Sequence, residues 1–184
     1  MRSVLLCLMV LCCVASAGAG ELAGVRMPET TLVSGSPLSL SGMALRRVVF
    51  FKVYVAGLYL AGEPGSAEQV LADDAPRRMV LHFLREVDAA DLSKAWMEGL
   101  EANTPQPTAE VQDAFEALCG WMTDVAEGDE MEVTYEPGAG TSIALHGQPK
   151  GTLSGKAFAD ALFACWIGPK PGPGKAFRED LLGG

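Results

Sequence analysis

What this chain lacks narrows its role before any motif is considered. Histidine occurs only twice in 184 residues, as His82 and His146, and no Cys or His spacing matches a zinc site. A haem or metal would need one of those two as a ligand, with Met or water opposite. Neither is paired with another ligand by spacing, so no cofactor and no metal is expected. Basic residues are the minority, with 14 Lys and Arg against 23 Asp and Glu, a net charge of −9. An acidic chain with scattered basic residues argues against nucleic acid or anionic lipid as a partner. No Ser-His-Asp or Cys-His arrangement follows from spacing. The Gly138-x-Gly140-Thr141 run has no helix after it, so it reads as a turn rather than a phosphate loop.

Long hydrophobic runs are equally scarce. Val4 to Val14, VLLCLMVLCCV, is an apolar stretch of 11 residues behind Arg2. Ala15-Ser16-Ala17 and Ala17-Gly18-Ala19 after it both fit an A-x-A cleavage pattern. Residues 1–19 are therefore expected to be a signal peptide, too short to span a bilayer well. Secretion, into a bacterial periplasm, is the expected destination, with no membrane span in the mature chain. Removing Arg2 takes the net charge from −9 to −10, because no other charged residue precedes Glu21. Cys7, Cys12 and Cys13 leave with the leader. Cys119 and Cys165 remain on apolar faces of helical patterns, where a free buried thiol is commoner than a disulfide. An oxidising compartment leaves pairing open.

Residues 20–184 form one domain's worth of chain, and 49% hydrophobic residues exclude a disordered linker. Thr31–Val33 and Leu38–Leu40 read as strands, followed by a long strand or bent strand pair from Arg46 to Leu60. Ser66 with Gln69 three residues on fits a capping box for a short helix. Arg77–Arg85 is the next strand, with His82 in its middle expected to be buried and satisfied. Asp88 and Thr108 are placed to cap two amphipathic helices. Met131–Glu136 and Thr141–His146 read as a hairpin across Pro137-Gly138-Ala139-Gly140. Gly147–Gly151 reads as a turn before a short strand at Thr152-Leu153. A helix from Ser154 or Gly155 to Ile167 is apolar on nearly all sides and so expected to be sandwiched. Trp96, Trp121 and Trp166 lie on three helices as packing residues. The tail KPGPGKAFREDLLGG carries no strand or helix assignment. The sum is an α+β fold, with helices packed on a mainly antiparallel sheet.

The segment LSLSGMALRRVVFFKVYVAGLYL, residues 38–60, carries the functional clue. Successive strand side chains point to opposite faces, so of Arg46 and Arg47 only one faces solvent easily. The other turns inward, where a permanent cation needs a carboxylate, a set of carbonyls or a ligand anion. Lys52 and Tyr54 share the parity of Arg46, and Tyr59 does not.

With MVLHFLREVDAADL, GDEMEVTYEPGAGTSIALHG and GTLSGKAFADALFACWIG, this segment resembles the chalcone isomerase-like family, specifically its secreted bacterial members. The resemblance implies an open-faced β-sandwich: a large antiparallel sheet, a helical layer, and a ligand cleft between them. Plant enzymes of that fold close the flavanone ring of a chalcone, using a guanidinium and hydroxyl groups in a dry cleft. Aligning Lys52 and Gly57 on the family's Lys-x4-Gly, behind the glycine-led turn, places the family arginine at Arg46. Arg46 and Tyr54 are then the catalytic candidates if the protein is an isomerase. Tyr54 stands where the plant enzymes have threonine. Non-enzymatic members bind fatty acids, which implies Arg46, Tyr54 and Lys52 as ligand-binding residues for a small hydrophobic or amphipathic anion. A scaffold with its cleft closed by its own side chains is the third reading.

Overall fold

Alternation along the strands is what assembles the structure, a computed structural model that describes residues 19–184. The expected leader up to residue 18, with its Ala17 cleavage position, lies outside the described residues. Among the described residues nine strands and five helices follow in chain order: β1 (Ala19–Leu22), β2 (Val25–Pro28), β3 (Thr30–Val33), β4 (Ser36–Val48), β5 (Phe51–Leu60), α1 (Ala67–Ala72) and β6 (Arg77–Phe83). Then come α2 (Ala89–Asn103), α3 (Ala109–Gly120), β7 (Glu130–Glu136), β8 (Gly140–Leu145), β9 (Gln148–Leu153), α4 (Lys156–Ile167) and α5 (Lys175–Leu181). Strands β3 to β9 form one seven-stranded antiparallel sheet in sequence order, and β1 and β2 form a separate hairpin.

In β6 every second residue, Arg77, Met79, Leu81 and Phe83, is buried while those between are half-exposed. Those four face the helices together with Ala56, Leu58, Met131, Val133, Ile143 and Leu145. On the other face, Val25 and Met27 of the β1–β2 hairpin pack on Val55, with Met43, Leu45 and Val80 beside them. Tyr59, Leu38 and Val33 form a second buried cluster on that face, and the helices cover only the opposite one, which gives an open-faced α+β sandwich.

The helical layer is built around α4, whose residues from Phe158 to Ile167 are all buried except Asp160. It contacts α1, α2, α3, α5 and β8, so its all-round apolar surface is covered. Gly99 of α2 allows close approach to α4: a Cβ there would lie 2.6 Å from Cys165 Sγ. Trp96 and Trp166 meet edge to face at 5.2 Å across the same contact. Ser66 makes its capping box with Gln69, and Thr108 caps α3 through Val111 N–H. Asp88 stands at the N-cap of α2 without a side-chain cap bond. Asp124 Oδ1 accepts from Ala89 N–H there instead, at 2.9 Å.

Four features narrow the expectation or depart from it. Of its two readings the Arg46–Leu60 region takes the strand pair, joined by the turn Val49-Phe50, with Val48 opposite Phe51. No Gly or Asn marks that turn, so the sequence did not signal it. Gly42 does not lead a turn; it sits inside β4 beside a register shift. The tail forms α5, which packs on β4 at Gly42. Strand β9 also begins earlier than the expected short strand, at Gln148, with Pro149 tolerated at the sheet edge.

Candidate functional site

Arg46 and Tyr54 are direct cross-strand partners of β4 and β5. Ala44 and Ala56, the next pair inward, belong to the helix-side core, so Arg46 and Tyr54 face the helical layer at one end of the sheet. Arg46 is half-buried, and its Nη1 donates to Gly172 O at 3.2 Å in the loop between α4 and α5. None of the ion pairs among the described residues includes Arg46. The alternative of a structural ion pair is thus not what this arginine makes. By alternation Arg47 points to the opposite face.

Tyr54 lies among aromatic rings, edge-on to Phe83 at 5.9 Å and to Phe177 of α5 at 6.1 Å. Burial pushes its hydroxyl up to about 12, against the lowering effects of a hydrogen bond with Trp166 and of the Arg46 charge. At neutral pH it is therefore an uncharged phenol beside a cation. Between Tyr54 and Lys52 the register shifts, so Lys52 pairs with Arg47 rather than following Tyr54 onto the Arg46 row. Lys52 is exposed.

The loop that meets Arg46 is itself pinned. Asn103 Nδ2 donates to Gly99 O and to Lys170 O, and its Oδ1 accepts from Lys170 N–H. Arg178 of α5 donates to Gly168 O at 3.1 Å. Gly172, Pro173 and Gly174 lie between these two anchors, with the Arg46 contact in their midst.

Sequence reasoning missed the arginine that is buried outright. Arg77 is 1% exposed. Its Nη2 meets Asp160 Oδ1 at 2.5 Å, and its Nη1 donates to Val70 O at 2.8 Å and Asp73 O at 3.3 Å, at the end of α1. Tyr135 and Phe163 sandwich the guanidinium at 5.0 and 4.9 Å, while its Nε finds no partner. Lys156 Nζ shares Asp160 at 2.6 Å. Carbonyls, carboxylate and rings all come from the protein, so Arg77 ties α1, the sheet and α4 together. The odd parity of β6 would have placed it inside, had that strand been read for charge.

The remaining candidates are placed plainly. His82 is not buried mid-sheet; it is half-exposed beside Glu130 at 3.0 Å. His146 is exposed at the hairpin's end, with Asp129 at 3.0 Å. Among the described residues no cluster of His, Cys, Asp or Glu could hold a metal ion. Cys119 and Cys165 are free, and burial pushes the Cys165 thiol up to about 12, leaving it unreactive. Trp121, half-buried, covers Gly151 of β9.

Two hollows of about 330 Å³ lie away from Arg46. One is on α2 and its following loop, lined by Met97, Leu100, Pro105 and Pro107. The other, beside α1, is lined by Gly62, Gln69, Asp73, Pro76 and Arg77.

A family model described as chalcone isomerase-like matches residues 19–183. No curated protein matches this chain. Among solved structures, a fatty-acid binding protein of Arabidopsis thaliana is similar at a TM-score of 0.67 and 17% identity. That match covers 90% of this chain and 96% of the other.

Proposed function

The chain belongs to the chalcone isomerase-like family, and from that premise we propose that it is an exported, non-catalytic binder of a fatty-acid-like carboxylate, held by Arg46 and Tyr54. The observation that carries this reading is the pairing itself. A guanidinium and a neutral phenol stand opposite each other at the sheet–helix interface, and the cation's recorded partner is a single backbone carbonyl. That carbonyl, Gly172 O, occupies the position a ligand oxygen would take. A carboxylate there adds an opposite charge and two oxygens for a bidentate fork, which a single neutral carbonyl does not offer.

The acyl tail would run along the apolar seam of Phe83, Phe177 and Trp166. Phe177 belongs to α5, so the tail displaces side chains of that short helix rather than the sheet. The printed function of the Arabidopsis thaliana protein, fatty-acid binding on the same fold, supports this reading. The phenol's high pKa keeps it a hydrogen-bond donor at neutral pH. At neutral pH Tyr54 can donate to an anion but cannot take up a proton as a base. The apolar leader supports export, with the periplasm as the proposed location.

Native mass spectrometry and displacement of a fluorescent acyl probe by palmitate test the proposal. Wild type should retain one acyl chain. Arg46→Ala should weaken palmitate at least tenfold, and Tyr54→Phe by a few-fold, with unchanged thermal midpoints. Equal affinity in wild type and Arg46→Ala would remove the arginine from the site.

A further inference from the structure

The β4–β5 hairpin ends in an apolar tip that the fold does not use. Val48, Val49, Phe50 and Phe51 are consecutive and exposed, Val49 by 78% and Phe50 by 89%. The pairing of β5 with β6 stops at Tyr54 opposite Phe83, so residues 47–52 run beyond the end of β6. Four contiguous exposed apolar side chains on a protruding hairpin cost solubility and invite association unless they meet an apolar partner.

The backbone gives an independent sign. Val49 holds φ at 54°, a conformation that favours glycine or asparagine and that a β-branched residue rarely adopts. Glycine would be unstrained there, so the valine adds an exposed apolar side chain at a strained position.

Charge identifies the partner. Arg46, Arg47 and Lys52 flank the tip in β4 and β5, and the Arg85 guanidinium lies 4.7 Å over the Phe51 ring. Within residues 46–52 and 83–86 there are four basic residues and one acidic one, Glu86, on a chain whose net charge is −9. The local sign is thus opposite to the global one. The global balance argues against an anionic lipid partner only if the basic residues are scattered, and the hairpin gathers them.

We propose that this hairpin docks the protein on an anionic phospholipid surface, with Val49 and Phe50 entering the acyl boundary and Arg47, Lys52 and Arg85 among the headgroups. Apolar insertion and a ring of cations are the two components that such interfacial anchors combine. The proposed attachment is peripheral, and no described helix is long and apolar enough to cross a membrane. Arg46 is two residues from Val48, so docking brings the proposed acyl site to the lipid surface. The docking itself does not depend on that reading of the site.

The test uses the protein as isolated after export, with vesicles of phosphatidylglycerol and phosphatidylcholine in equal parts, against phosphatidylcholine alone. Phe50→Trp, made together with Trp121→Phe, places a reporter at the tip, distinct from the buried Trp96 and Trp166. With the anionic vesicles its emission should shift to the blue and be quenched by brominated acyl chains. Binding should be at least tenfold weaker to phosphatidylcholine alone, and should fall as salt is raised. Phe50→Asp and, separately, Arg47→Ser with Lys52→Ser should each lower vesicle affinity at least tenfold while the thermal midpoint holds. Unchanged emission with both vesicles overturns the proposal, as does equal affinity for the two compositions. A blue shift that follows protein concentration without lipid also overturns it, assigning the tip to a second copy of the chain. Palmitate affinity measured without vesicles separates failure of this proposal from failure of the acyl site.

Discussion

Two arginines with the same local sequence signature do different work. Arg46-Arg47 and Arg77-Arg78 are both dibasic pairs entering apolar runs. Arg77 has its carboxylate, carbonyls and rings supplied by the fold, whereas Arg46 has one carbonyl from a pinned loop. A buried cation whose acceptors are all internal is a structural group. Asp160 is partly exposed and keeps Lys156, so the loss in Arg77→Ala is mainly that of a large buried side chain, about 2–5 kcal/mol. Arg77→Met, which keeps most of the volume, should cost less. Urea unfolding of the two variants decides the matter; a loss under about 1 kcal/mol for alanine would deny the arginine this role. Palmitate binding by either folded variant should match wild type, which separates Arg77 from Arg46.

At the scale of elements, α5 is the piece whose placement the site depends on. Its backbone lies directly on β4 at Gly42, where an added Cβ would overlap the Asp180 carbonyl oxygen. Backbone cannot yield as a flexible side-chain end can, so the helix has to move. Gly42→Ala should lift α5 and cost about 1–3 kcal/mol, the usual range for overpacking. Amide hydrogen exchange should rise in residues 175–181 while β6 and β7 keep their protection. Uniform change across the sheet would instead mean that α5 is not an independent unit. The sequence held clues to this contact, in Gly42 and in the apolar Phe177, Leu181 and Leu182 of the tail. They could not be paired, because 139 residues separate Gly42 from Leu181.

For the whole molecule, the buried phenols set an alkaline limit. Burial pushes Tyr54 and Tyr59 up to about 12, and the Arg46 and Arg78 charges respectively oppose it. Their folded values exceed the ordinary value of 10.0, so folding favours the neutral form. The stability this contributes is complete below about pH 10 and is lost as pH rises toward 12. Thermal midpoints should fall over that interval, and Tyr59→Phe should flatten part of the fall; midpoints level from pH 9 to 12 would contradict this. At the acid end the sign reverses. The Ala126 N–H first, and His146 second, hold the Asp129 carboxyl below its usual value. Its contribution is present above about pH 4 and fades as pH drops further.

Local chemistry written in the chain determined most of the framework. Strand alternation in RRMVLHF, the Ser66–Gln69 and Thr108 caps, and the all-round apolar face of residues 156–167 each act over a few residues and so are readable without coordinates. Parity put Arg46 and Tyr54 on one face, but not opposite each other, because no residue signals the turn that pairs their strands. Tertiary structure alone decided which arginine is enclosed, since the Asp160 that meets Arg77 lies 83 residues further along. It alone decided that a register shift at Val53 takes Lys52 off the Arg46 row, that the tail folds back as α5, and that an apolar turn stands free of the sheet. The reason is common to all four: the cost of burying a charge or exposing a ring depends on what distant segments bring alongside it.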